Sequence, residues 1–331
     1  MINTENLENP FLLNIPDKIV YTIDDYINIQ EQLSKKNIDH ILDKNFPPSE
    51  YYFEYHDFKY RCTKSLKQKI IDIESNKLPT KKLYKIGNTE NNKNCFVCCV
   101  PFSHDLVKNG TSDSESRYIA SQQIIKSLTK SGYNGYLYLI TGGFPNPTGT
   151  EMKYAGVPYC FKIFAMLEAQ NLGFDKVIWI DSACYCINDP KYLFDILEND
   201  DTLIYTVNHD NQYNKLCFQQ TIDLLNKITN NNIEYAVYVQ TVVFGLNLKS
   251  PIIKELIKEY YNMVKIGLPF LSIFPEEVVL SALFNQPKYK HLLYNQPVIH
   301  RLRVDERGID EENARNHGFY FLHRNYNNFK K

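Results

Sequence analysis

No stretch of the chain approaches the roughly 20 consecutive apolar residues that a membrane-spanning helix requires, so no membrane span is expected. The first residues, Met1 to Asp17, carry neither a basic region nor a sustained apolar run, and no signal peptide is expected there. An excess of charge is lacking too: 37 Lys and Arg stand against 38 Asp and Glu, a formal net charge of −1. That balance gives no electrostatic reason to expect nucleic acid as a partner. Tryptophan is almost missing, with Trp179 alone. No G-x-G-x-x-G follows the first clear strand, where the chain reads Val100-Pro-Phe-Ser-His-Asp105. Without those glycines the backbone cannot approach a pyrophosphate closely, which sets aside a dinucleotide-dependent oxidoreductase. Gly142-Gly143 lacks the Gly-Lys-Ser/Thr ending of a phosphate-binding loop and, with Pro145 and Pro147, reads as a mobile loop. Internal repeats and low-complexity tracts are absent as well.

What is there is a 331-residue chain with 44% apolar and 23% charged residues, the balance of an ordinary globular protein able to bury a large core. Aromatics reach 14%, which suits stacking on bases and sugars, but with so much Asn, Lys and Ile an AT-rich coding sequence is the stronger explanation. Most of the eight cysteines, at 62, 95, 98, 99, 160, 184, 186 and 217, lie in apolar runs. They read as reduced core thiols, and a cytoplasmic location is expected. Cys95-x-x-Cys98 has the spacing of half a zinc site, but no second half accompanies it.

The polar stretch Asn88-Thr-Glu-Asn-Asn-Lys-Asn94 reads as a linker and divides the chain into an N-terminal extension or small domain (1–92) and a main domain (93–331). In the first part, Lys18 to Thr22 reads as a strand, Ile23 to Lys35 as a helix and Tyr51 to Tyr60 as a Tyr-rich segment. In the second, strands at Phe96 to Val100, Tyr136 to Ile140 and Lys176 to Ile180 alternate with helices. One helix ends at Lys130, and another runs from Pro158 to Leu172 before Gly173. Repeated β–α–β units predict an α/β fold with a mostly parallel, Rossmann-like sheet and helices on both faces.

Ligands of such sheets bind beyond the carboxyl ends of the strands. The segments to inspect are Pro101-Phe-Ser-His104, Thr141-Gly-Gly143 and Asp181-Ser-Ala183; the last comes after a very apolar strand. Here the chain resembles the GT-A glycosyltransferases, particularly the glycogenin-like and related retaining families. The resemblance runs from about Asn94 to Asn325 and lies in the order of short blocks. Phe96 to Phe102 resembles the first strand and the loop cradling the nucleotide base. Pro158 to Lys162, through Phe174-Asp-Lys-Val-Ile-Trp-Ile-Asp181, resembles the helix and strand that lead to the metal-binding DxD motif. Ile187-Asn-Asp-Pro-Lys-Tyr-Leu-Phe194 is similar to the stretch on the C-terminal side of that motif. Gln240-Thr-Val-Val-Phe-Gly-Leu246 resembles a strand facing the sugar, Pro275-Glu-Glu-Val-Val-Leu280 an acidic pair at a helix start, and His317 to His323 a segment returning a metal-binding histidine.

The resemblance implies a nucleotide-diphospho-sugar transferase moving a hexose from a UDP- or GDP-linked donor to the hydroxyl of a glycan, protein or small molecule. Pro101, Phe102, Ser103, Lys162, Asp181, Ser182, Ala183 and Gln240 become the donor-site residues, and Asp181, Glu276 and Glu277 the catalytic ones. In an inverting reaction Glu276 or Glu277 becomes the general base. Mn²⁺ (or Mg²⁺) is implied at Asp181 and His323, because a hard cation offsets the charge developing on the diphosphate. Ala183 departs from the motif where its second aspartate is expected. Arg301, Arg303 and Arg307 are cationic substitutes, since guanidinium pairs well with phosphate. His317 and His300 are weaker metal candidates than His323. The missing aspartate also admits a second reading, a degenerate fold that binds a nucleotide or glycan without turnover.

Overall fold

The structure is a computed structural model; its described residues are 80–89, 93–100, 114–141, 144–154, 157, 159–207, 217, 219–270, 272, 274–293, 301–306 and 308–324. The elements expected at 18–22, 23–35 and 51–60 lie outside them, as do Pro101, Phe102, Ser103, Arg307 and His300.

Burial on both faces is the property that fixes the architecture. All six residues of β2 (Cys95–Val100) are buried. Because strand side chains alternate, Cys95, Val97 and Cys99 join one core while Phe96 and Cys98 join the other. The same alternation sends Val177 and Trp179 of β4 (Lys176–Ile180) to the first core and Ile178 and Ile180 to the second. Helices must then cover both sides. The first core is closed by α2 (Phe161–Asn171), α4 (Gln219–Thr229), α5 (Pro251–Ile266) and α6 (Pro275–Phe284). The second is closed by α1 (Ser114–Lys130) and α3 (Lys191–Asp200). Cys95 and Cys98 thus face opposite layers and cannot share a zinc ion. The cysteine thiols at 95, 98, 99, 160, 184, 186 and 217 are all buried, and burial pushes that of Cys186 up to about 12, which suits core packing rather than nucleophilic chemistry.

The helix expected from Pro158 begins three residues later, at Phe161. Tyr159 stands at φ +58°, a left-handed conformation that a helix cannot include.

The main sheet has six strands in the order β1-β3-β2-β4-β7-β6, completed by β1 (Thr80–Ile86), β3 (Gly135–Thr141), β6 (Thr202–Val207) and β7 (Tyr238–Asn247). β3, β2 and β4 pair in parallel, while β1 and β7 run the opposite way and β6, antiparallel to β7, runs with the central three. The expected mostly parallel sheet is therefore a mixed one. A buried apolar run has the same composition in either direction, so direction was not readable from it. From β2 the chain passes through α1 to β3 on one side, then through α2 to β4 on the other. The winding reverses between β2 and β4, and such a topological switch point is where open α/β sheets bind ligands.

A second sheet, in the order β5-β9-β8, is formed by β5 (Cys184–Cys186), β8 (Arg303–Asp305) and β9 (Phe321–His323). Helix α7 (Glu311–Asn316) lies between the last two in sequence.

The linker reading of residues 88–94 needs correction. β1 precedes that stretch and pairs along its whole length with β3, from Thr80↔Thr141 to Ile86↔Gly135. The stretch therefore connects two strands of one sheet, and a boundary at 92/93 cuts the sheet. The loop that begins at Gly142-Gly143 is also less free than expected over its described part. Buried Glu168 accepts from Asn146 N–H at 2.6 Å, and fully buried Glu151 accepts from Thr148 Oγ1 at 2.6 Å and Tyr261 OH at 2.8 Å. A chain beginning at residue 93 lacks β1 and bares the edge of β3. It is expected to give less soluble protein and a lower melting temperature than one retaining β1; equal yield and stability in the two would show that the edge strand is dispensable.

Candidate functional site

Residues nominated far apart in sequence meet behind the end of β4. Alternation along that strand puts Asp181 on the face of Trp179, the face covered by α2. Trp179 Nε1–H donates to Asp181 Oδ1 at 2.6 Å, and the Lys162 ammonium lies 3.0 Å from the same oxygen. Lys162 comes from the first turn of α2, between buried Phe161 and Ile163, and is only 3% exposed. It also meets Glu276 Oε1 at 2.7 Å, and it donates to Thr241 O at 3.1 Å and Thr241 Oγ1 at 3.2 Å. The Trp179 and Tyr159 rings lie 5.4 and 5.7 Å from the ammonium, within cation–π range.

Helix α6 supplies the remaining carboxylates. Pro275 opens it, and Glu276 and Glu277 fall in its first turn, where the helix dipole favours negative charge. Glu276 accepts from Thr241 Oγ1 at 2.9 Å. Glu277 accepts from Tyr238 OH at 2.6 Å and Thr241 N–H at 2.9 Å. Burial alone lowers an ammonium's pKa, but Asp181, then Glu276 and Glu277, together hold that of Lys162 above the usual lysine range. Burial first, and the neighbouring Glu276 charge second, push the Glu277 carboxyl up to about 7. Both glutamates are buried and committed to Lys162, Thr241 and Tyr238, so neither is presented to an acceptor as a general base.

A second chain of polar contacts reaches the same turn from the small sheet. Antiparallel pairing puts Cys184 opposite His323, and Arg324 N–H donates to Ala183 O at 2.9 Å. His323 Nδ1 is 2.9 Å from Asp305 Oδ1. Arg303 bridges Asp305 Oδ1 at 3.4 Å and Gln240 Oε1 at 2.7 Å, tying the small sheet to β7. Burial pushes the Cys184 thiol well up, Asp181 and Asp305 add to this, and Arg303 and Lys162 oppose it. Ser182 and Ala183 are buried within a turn closed by Cys184 N–H to Asp181 O at 2.9 Å. Arg301 is exposed, and His317 Nδ1 sits 2.7 Å from Asn313 O at the end of α7, away from these contacts.

Thr241, Tyr238 and Asp305 were not nominated from the sequence. Thr241 was signalled only by lying next to Gln240, and Asp305 only by lying two residues from Arg303.

The described residues do not by themselves assemble a site for a resident divalent ion. Among the described residues no group of three or more His, Cys, Asp or Glu side chains is placed to hold one. Asp181 Oδ1 is already shared by an ammonium and an indole N–H. Comparison with protein-family models, with curated proteins and with solved structures returned no match.

This geometry has two measurable consequences. Ala183 is fully buried, so Ala183→Asp forces a carboxylate into a closed turn. An uncompensated buried charge costs about 3–5 kcal/mol, and urea unfolding is expected to show a loss of that order; an unchanged midpoint would mean that the turn opens freely. The second concerns pH. The folded-state pKa of Glu277 stands above its ordinary 4.5, so its protonated form contributes stability that is complete below about pH 4.5 and lost as pH rises toward 7. Unfolding free energy is expected to decline across that window in the wild type and to decline less in Glu277→Gln. Urea titrations at stepped pH compare the two slopes, and identical slopes refute the assignment.

Proposed function

We propose that the chain is a glycosyltransferase that binds a nucleotide-diphosphate sugar, UDP- or GDP-linked, in the crevice beyond β2 and β4 and passes a hexose to a hydroxyl acceptor. The observation that carries this reading is the position of Asp181: it ends the central strand at the switch point, and its side chain remains 25% exposed above an otherwise buried cluster. The order of sequence blocks that resemble the GT-A families supports the same reading, and fold analogy alone fixes no reaction.

Each side chain has its own part in this reading. Lys162 and Trp179 hold Asp181 Oδ1, and among the described residues none reaches Oδ2. That oxygen accepts from hydroxyls of the bound sugar or ribose. Arg303 uses two N–H donors on Gln240 and Asp305, and its others are suited to a phosphate. With its side chain 14% exposed, Arg303 is reachable where Lys162 is not. Enclosure of Glu276 and Glu277 removes the two bases nominated for an inverting path, which favours retention of anomeric configuration. No step here passes through a metal ion.

A second reading, binding without turnover, is favoured by one feature: the single carboxylate at the strand end already has its charge answered by Lys162. Sugar-nucleotide hydrolysis separates the two, since true transferases commonly show it as a side reaction. A ligand at a hundredfold excess over Kd stabilises by about 2.7 kcal/mol, so a panel of UDP- and GDP-hexoses is expected to yield at least one clear rise in melting temperature. Asp181→Asn keeps shape but loses charge, and its turnover is expected to fall by roughly 10²–10³-fold, the scale of losing one preorganised transition-state contact. Near-normal hydrolysis by a well-folded Asp181→Asn protein would remove the basis of the reading.

A further inference from the structure

The Lys162 ammonium has the surroundings of a bound cation. Four oxygens lie within 3.2 Å: Glu276 Oε1 at 2.7 Å, Asp181 Oδ1 at 3.0 Å, Thr241 O at 3.1 Å and Thr241 Oγ1 at 3.2 Å. They come from α6, the turn after β4, and β7, three segments that the ammonium draws to one point. Two are carboxylate oxygens, one is a backbone carbonyl and one a hydroxyl, the mixture that hard cations select. The aromatic rings of Trp179 and Tyr159 close the remaining sides. A divalent ion offered to these oxygens would meet a fixed positive charge at the centre of the cage.

We propose that Lys162 is the resident cation of this site, standing between Asp181 and Glu276 where a divalent ion would otherwise sit, so that the crevice holds a nucleoside diphosphate without a metal. The cage half of the proposal stands on the geometry alone; the ligand half rests on the nucleotide-sugar reading. A tethered ammonium is never lost to chelation, and it leaves the positive charge facing the diphosphate to side chains such as Arg303.

Chemical rescue tests the cage. Lys162→Ala leaves the oxygens in place around a void, and an ammonium ion can donate to the same acceptors. The variant is expected to melt below the wild type. Ammonium chloride should raise its midpoint while leaving the wild type unmoved, and tetramethylammonium chloride, which has the charge but no N–H, should raise neither. Equal shifts in both proteins, or from both salts, overturn the cage. Should Lys162→Ala fail to fold in every salt, manganese paramagnetic resonance on the wild-type protein decides. Mn²⁺ with UDP should give the same signal with and without protein, while UDP raises the melting midpoint equally in EDTA and in Mn²⁺. Loss of signal at one ion per chain, reversed by Asp181→Asn, overturns the proposal. If neither UDP nor GDP shifts the midpoint in either medium, the nucleotide reading and the ligand half fall together, and the rescue experiment still judges the cage.

Discussion

A single desolvated ammonium sets the terms for the rest of this structure. Removing an ion from water costs several kcal/mol even after relaxation, and the cost is met only by well-placed opposite charges and hydrogen bonds. Lys162 is therefore enclosed by acceptors that arrive from three other segments. Each of those segments gives up its own freedom in return. The turn after β4 is held by Asp181, β7 by Thr241, and the start of α6 by Glu276. Because a core built from close-packed side chains transmits small displacements, the layer of α2 and α6 over the sheet is registered to the strand ends through this one contact set.

The layering explains why such a cluster occurs where it does. Between two helical layers the strands are apolar on both faces, and after Lys176 at the start of β4 neither β2 nor β4 carries a charge along its length. Polar chemistry is confined to the strand ends, and of those ends only the pair β2 and β4 flanks the reversal of winding. Two polar systems then converge on the same turn. One, around Lys162, is enclosed and fully committed. The other, running Gln240–Arg303–Asp305–His323, is partly open to solvent and joins the small sheet to the large one. Rigid support lies behind Asp181, and side chains that solvent can reach lie beside it. A recognition site needs that division.

Particular residues show what the sequence could and could not reveal. Asp181 was legible because an unbroken apolar strand ending in a carboxylate is a local pattern. The start of α6 was legible for the same reason, since Pro275 with two glutamates marks a helix N-terminus wherever it occurs. The burial of Lys162 was not legible. A lysine on a helix reads as solvated by default, and only the arrival of carboxylates at positions 181 and 276, remote in sequence, makes its enclosure stable. Asp305 was missed because its significance lies in a cross-strand neighbour, His323, that no spacing rule connects to it. Strand direction was hidden for a related reason: the apolar run Val242 to Leu246 in antiparallel β7 looks like the one in parallel β2. The boundary placed at residue 92 shows the opposite error, where a polar composition was read as a separation and the strand before it proved to belong to the sheet.

The absence of a second aspartate and the presence of a buried lysine have one electrostatic origin. A pair of carboxylates on one turn is stable only when a cation stands between them, because two like charges in a poorly solvated site raise each other's protonation. In this chain the cation is covalently attached and reaches Asp181 from behind, on the α2 side, with Glu276 as the second carboxylate. The pair is thus split between the strand end and helix α6 instead of sharing one turn. Position 183 then has no charge to answer, and it is completely buried, with its carbonyl bonded to Arg324 N–H. Ala183 reads as a loss when the turn is considered alone. With Lys162 in place it is what the electrostatics of the turn require.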